Sequence, residues 1–103
     1  MADLIKRKRI DILIDAPLSD WLVATATSAG IPHHTFMDMA QGRGQHGAWR
    51  ADEMSGASSK RMYIAIADAA RVAALIDALT PHLTDYGLVV TIADVEVVRG
   101  ERF

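Results

Sequence analysis

The sequence predicts an α+β sandwich in which four antiparallel strands and two helices follow one another as β-α-β-β-α-β. Three observations predict it. Apolar residues alternate in short stretches, two stretches between these carry apolar residues at helical spacing, and glycine or proline stands at the junctions. This order is the split βαβ, or ferredoxin-like, arrangement, with both helices on one face of the sheet.

Each element has a local cause. The basic cluster Lys6-Arg7-Lys8-Arg9 reads as a solvated strand entry and is short for a nucleic-acid arm. Ile10-Asp11-Ile12-Leu13-Ile14 alternates as a strand. Pro17 suits the first turn of a helix whose face is Leu18, Trp21, Leu22, Thr25 and Ala29, and Gly30 suits the position past its end. His33 to Met39 reads as the second strand, with Thr35, Met37 and Met39 on one face. In the third, Arg61 to Ala67, Met62, Ile64 and Ile66 alternate with Tyr63, Ala65 and Ala67. Asp68 can cap a second helix with Val72, Leu75, Ile76, Leu79 and Leu83 on its face, and Pro81 should tighten or end it. Gly87 releases a β-branched fourth strand, Leu88 to Val98.

Composition bounds the function. The 103 residues make one domain, 1–103, and half of them are apolar, enough for a core. So small a domain leaves much surface exposed, which oligomerisation would cover. The net charge of −2 speaks against nucleic-acid or membrane binding by bulk positive charge. Cysteine is absent, which removes disulfides, thiolate nucleophiles and cysteine-based metal sites. No apolar run reaches the ~18 residues of a membrane helix and no signal-peptide pattern opens the chain, so a cytoplasmic protein is expected.

The anomaly is the connection between the second and third strands, about residues 40–59, where a hairpin would need only 2–5 residues. Four of the seven glycines lie in it, so it reads as a functional, flexible loop. In Gly42-Arg43-Gly44-Gln45-His46-Gly47 the glycines can turn backbone N–H groups toward an anion, and arginine adds a fork of donors. The run lacks the lysine and Ser/Thr of a P-loop, and no helix follows it. Trp49 either anchors the loop on the domain or is held for a partner or ligand. The chain ends Val97-Val98-Arg99-Gly100-Glu101-Arg102-Phe103. Its 99–103 segment is either a frayed tail or a pair of guanidinium groups for a phosphate.

Other chemistry is thin. Adjacent His33 and His34 would point to opposite faces of a strand, so they do not easily share one metal with His46. His82 reads as a helix-terminus histidine. Ser55, Ser58 and Ser59 lack a base, and Asp11 and Asp38 lack an argued common site, so hydrolysis finds no support and no catalytic residue is assigned. The five methionines read as core filling.

Taken together, the chain resembles the PII signalling superfamily, and more closely its PII-like branch, over nearly its whole length. Gly30-Ile31 followed by Thr35 resembles the exit of helix one and the second strand, Gly42 to Gly47 the glycine-rich base of the T-loop, and Val97 to Arg102 the arginine-bearing C-terminal segment. The resemblance implies a non-enzymatic homotrimer that binds adenine nucleotides in clefts between subunits. Gly42, Arg43, Gly44 and Gln45 would surround the phosphates from one side, and Arg99 and Arg102 of a neighbour would reach them from the other. Thr35, Ala65 and Ile66 would border the adenine, and Gly87-Leu88-Val89 stands where the phosphate-contacting B-loop lies. That segment carries no Thr-Gly-Lys run, which favours ADP or AMP over ATP. The loop has no tyrosine for uridylylation, and Gln45-His46 replaces the usual glutamine–lysine pair, which speaks against 2-oxoglutarate sensing. The branch includes carboxysome-associated proteins that respond to bicarbonate, an anion that Arg43 and Lys60 could help bind. The loop would then report ligand state to a transporter or enzyme of inorganic-carbon metabolism. The alternative is a divalent-metal-binding trimer of the same fold.

Overall fold

The computed structural model describes residues 3–44, 47–50 and 59–98. Strand β1 (Leu4–Asp15) leads through a 3-10 turn at Ala16–Leu18 into helix α1 (Ser19–Ser28). Strand β2 (Thr35–Met39) is followed by two short strands, β3 (Gln41–Gly44) and β4 (Gly47–Arg50). Strand β5 (Lys60–Ala67), helix α2 (Ala69–Leu79), a second 3-10 turn at Thr80–His82 and strand β6 (Val89–Val98) complete the order. The main sheet runs β2-β5-β1-β6, antiparallel throughout, which is the predicted topology.

Strand alternation assigns the two faces. Ile10, Ile12 and Ile14 of β1 and Tyr63, Ala65 and Ala67 of β5 are buried beneath the helices, where they meet Leu22 and Ala26 of α1 and Val72, Leu75 and Leu79 of α2. Burying each such aliphatic side chain is worth about 1.5–3 kcal/mol, so this face carries most of the fold's stability. The other face presents Leu13, Met37, Met62, Ile64, Ile66 and Val89, and neither α1 nor α2 packs on it.

The helix ends follow from local chemistry. The Asp68 carboxylate accepts the Arg71 backbone N–H at 2.9 Å and so caps α2. That bond, and the Arg71 guanidinium beside it, hold the Asp68 pKa below the usual carboxylate range. Pro81 has the expected effect, since α2 stops at Leu79 and tightens into the 3-10 turn. Gly30 (φ 92°) closes α1 in a Schellman arrangement, with Gly30 N–H donating to Thr27 O and Ile31 N–H to Ala26 O.

Several elements differ from expectation. Strand β2 begins at Thr35 and leaves His33 and His34 outside it. The described methionines do not fill the core, since Met37 is exposed and Met39 and Met62 are only half-buried. Leu83 lies past the end of α2 and is exposed. The α1 face is centred on Ser19, Leu22 and Ala26, with Leu18, Trp21 and Ala29 at its edge. A polar Ser19 is tolerated inside because its hydroxyl donates to Ala16 O at 2.7 Å. Lys6 to Arg9 lie within β1 rather than at its entry, and residues 4–7 pair with β6 alone as a two-stranded overhang. Part of the long connection is itself regular, because β3 and β4 pair as a small antiparallel ribbon.

Candidate functional site

Register brings three connections to one end of the sheet. Asp15 and Met39 both stand opposite Lys60, and Leu13 stands opposite Val89. The β1–α1 corner, the root of the long connection and the segment before β6 therefore share that end. The corner is tied to the root by the Ala16 N–H, which donates to Ser59 O at 2.9 Å, and by the ion pair of Lys60 with Asp15. Beside it Arg61 donates to the Asp38 carboxylate at 3.1 Å and to the Ser19 hydroxyl at 3.2 Å, and its guanidinium lies 4.2 Å from the Phe36 ring centroid. Sequence reading missed Asp15 and Arg61 because their partners are set by cross-strand register.

The loop root is a ribbon of four pairs: Gln41 with Arg50, Gly42 with Trp49, Arg43 with Ala48, Gly44 with Gly47. Alternation places Arg43 on the opposite ribbon face from Gly42 and Trp49, and Arg43 is exposed. Gly42 and Gly44 play different parts. The indole of Trp49 fills the space a side chain at 42 would need, whereas nothing lies within 4 Å of a Cβ built at Gly44. Gly47 needs its glycine for backbone reasons, with φ 107°.

The other predicted site residues divide by face. Thr35 is exposed and pairs with Ile64, and Ile66 pairs with Arg9, both on the open face. Ala65 is only 3% exposed and lies under the helices, so its side chain is closed to a ligand on the open face. Val89 is exposed opposite Leu13, while Leu88 is buried. Gly87 (φ 60°) and Leu88 form a second Schellman closure, with Gly87 N–H donating to Thr84 O and Leu88 N–H to Leu83 O. Those two amides are therefore already bonded within the segment and do not face outward for a phosphate. Gln45, Arg99 and Arg102 lie outside the described residues, as does His46.

The aromatic residues form two groups. Trp21, His82 and Tyr86 pack together, the His82 and Tyr86 rings stacked at 4.9 Å and Trp21 edge-on to both. His34 stacks on Tyr63 at 5.5 Å, and Phe36 meets both edge-on. Among the described residues no group of three histidine or acidic side chains could hold a metal ion. The Tyr63 hydroxyl is buried and has no hydrogen-bond partner there, and burial pushes its pKa up to about 12. A groove of about 490 Å³ lies at the far end of the sheet, on the β1–β6 overhang, lined by Lys6, Arg7, Lys8, Ala69, Asp94, Val95 and Glu96. It contains none of the predicted site residues. Lys8 pairs with Asp94 there and, by its hydrogen bond, lowers that carboxyl's pKa. No helix among the described residues is long and apolar enough to cross a membrane.

Comparison with known proteins agrees with this architecture. The family model for nitrogen regulatory protein P-II matches residues 7–102. No curated protein sequence matches. Among solved structures, the chain is similar to CPII, a nitrogen regulatory PII-like protein from Thiomonas intermedia K12, bound to ADP, AMP and bicarbonate. The TM-score is 0.88 at 21% identity, over 96% of this chain and 94% of that one. The apo form of CPII is similar with a TM-score of 0.78 at 19% identity, over 96% and 99%. The B. subtilis GlnK–ATP complex is similar with a TM-score of 0.63 at 8% identity, over 87% and 82%. PII proteins are signalling proteins and not enzymes. With the helix-covered sheet, the ribboned connection and a family match over almost its whole length, this chain belongs to the nitrogen regulatory P-II family.

Proposed function

We propose that this PII-like regulatory protein binds ADP or AMP between the subunits of a homotrimer, with bicarbonate as a second ligand. The observation that carries the reading is the fold shared with CPII, whose structure holds ADP, AMP and bicarbonate, over 96% of this chain. The trimer is supported by the open sheet face, whose apolar side chains would be removed from water if three sheets packed around an axis. Gly42, Arg43, Gly44 and Gln45 of one subunit would meet the phosphates from one side, Arg99 and Arg102 of the next from the other. Thr35 and Ile66 would border the adenine, with Ala65 contributing backbone only. Arg43 supplies a guanidinium fork suited to phosphate or bicarbonate. Lys60, paired with Asp15 at the root of the loop, would add its positive charge to an anion site beside Arg43. Ordering of the long connection by ligand would then be read by a partner protein, a transporter or enzyme linked to inorganic carbon.

Calorimetry with AMP, ADP, ATP and bicarbonate, alone and in pairs, alongside sedimentation, tests the reading. The expected result is a trimer that binds ADP and AMP more tightly than ATP. Arg102→Ala should weaken ADP binding by about 1–3 kcal/mol, as for a lost charged hydrogen bond. A monomer that gives no heat with any adenylate would end the proposal, and an unaltered Arg102→Ala affinity would remove that residue from the site.

A further inference from the structure

We propose that Trp49 is a positioning residue of the loop root: clamped between Gly42 and the Lys60 ammonium, it fixes the ribbon that carries Arg43 and so sets where that guanidinium meets a phosphate. This deepens the nucleotide reading above and rests on it for the identity of the ligand. A four-pair ribbon with glycines along one face has little to hold its orientation, since two-stranded hairpins are marginal alone. The clamp supplies it. Gly42 stands directly across from Trp49, and the indole lies over the glycine backbone, an aromatic–glycine cross-strand pair. A Cβ at position 42 would sit 2.8 Å from Cε2 and 3.1 Å from Cη2 of that ring, and nearer still to Cζ2. The absence of a side chain at 42 is therefore what admits the ring, while Gly44 on the same ribbon face has open space above it.

The second jaw is Lys60. Its Nζ lies 5.7 Å from the Trp49 ring centroid, within cation–π range, and it is held there by the Asp15 carboxylate. Gly42, Trp49, Lys60 and Asp15 thus run as one chain of contacts from the ribbon to the corner before α1. Arg43 projects from the ribbon face away from the indole, so the clamp orients the guanidinium without covering it.

The chain has two tryptophans, so in a Trp21→Phe background Trp49 is the sole indole. Acrylamide quenching of its fluorescence should be weak in that parent. It should rise toward the level of free indole in Gly42→Ala and Lys60→Met and stay at the parent level in Gly44→Ala. In calorimetry with ADP, Trp49→Ala should weaken binding about fivefold, the equivalent of one lost cation–π contact, and Trp49→Phe should recover most of it because a ring remains. Parent-like quenching in Gly42→Ala overturns the clamp, and so does parent-like ADP affinity in Trp49→Ala. If the parent itself gives no heat with ADP, the nucleotide reading falls and the quenching series alone decides whether the ring is clamped.

Discussion

The two faces of the main sheet are both apolar, yet only one is closed. Beneath the helices Ile10, Ile12, Ile14 and Tyr63 have no exposed surface, and they interlock with Leu22, Leu75 and Leu79. On the other side Met37 and Val89 stand about half exposed, and Leu13, Met62, Ile64 and Ile66 are half-buried. The open face also carries the Arg9–Asp11 pair at 2.8 Å, whose hydrogen bond raises the Arg9 pKa. The difference teaches that alternation reports which residues share a face and nothing of what will cover it. The first face is covered by the chain's own helices. The second leaves Met37 and Val89 in contact with water beside half-buried aliphatic side chains, which is the physical ground for the subunit contacts proposed above.

The largest effect belongs to the closed face. Leu75→Ala removes a fully buried side chain from between α2 and the sheet and should cost about 2–5 kcal/mol, read from the urea midpoint. A loss below about 1 kcal/mol would mean that this face is not the core, since exposed aliphatic positions show such small values. The open face should respond in kind rather than in degree. Ile64→Glu puts a carboxylate between Asp11 and Thr35 and beside Met62 and Ile66, where a lone subunit keeps it wet and an assembled one would have to bury it next to another carboxylate. Sedimentation should show the trimer replaced by monomers with their far-UV circular dichroism retained. A trimer that survives Ile64→Glu intact would place the interface elsewhere.

This contrast also explains what could be read from sequence. The existence of the four sheet strands and both helices follows from periodicities that the side chains of each element carry locally, and Asp68 and Pro81 act within a turn of where they stand. The α1 face is rotated from its reading because the Ser19 hydroxyl finds a local carbonyl and goes inside, a satisfaction invisible to a hydropathy pattern. The β3–β4 ribbon has glycine at alternate positions of one strand, so no apolar alternation announces it. Its logic lies in the Gly42–Trp49 pairing, a contact between residues seven apart. Gly87 was legible as a special backbone position but not as the end of a Schellman closure, since the Leu88-to-Leu83 bond depends on how the preceding turn is wound. The candidate site was legible as a loop root with Arg43, while Asp15 and Arg61 enter it only through register.

The smallest effect comes from the one polar atom of the closed face that lacks a partner among the described residues. The Tyr63 hydroxyl is sealed from water beneath the helices, where a neutral phenol already bears an uncompensated desolvation cost and a phenolate would bear far more. Two consequences can be measured on one variant. Tyr63→Phe keeps the ring against His34 and Phe36 and removes the orphan, so it should stabilise the protein by about 1 kcal/mol at neutral pH. The pKa is raised from 10.0 in the unfolded chain to about 12 in the fold, so the folded state holds this proton more tightly. The group leaves stability independent of pH below 10 and lowers it as pH rises toward 12, because the unfolded chain can ionise there and the fold cannot. Wild type should therefore lose stability across that window faster than Tyr63→Phe, which has no proton to release at 63. Parallel urea midpoints for the two proteins between pH 9 and pH 12 would mean that the hydroxyl finds a partner or water in solution, and the closed face would then be less dry than the open one is apolar.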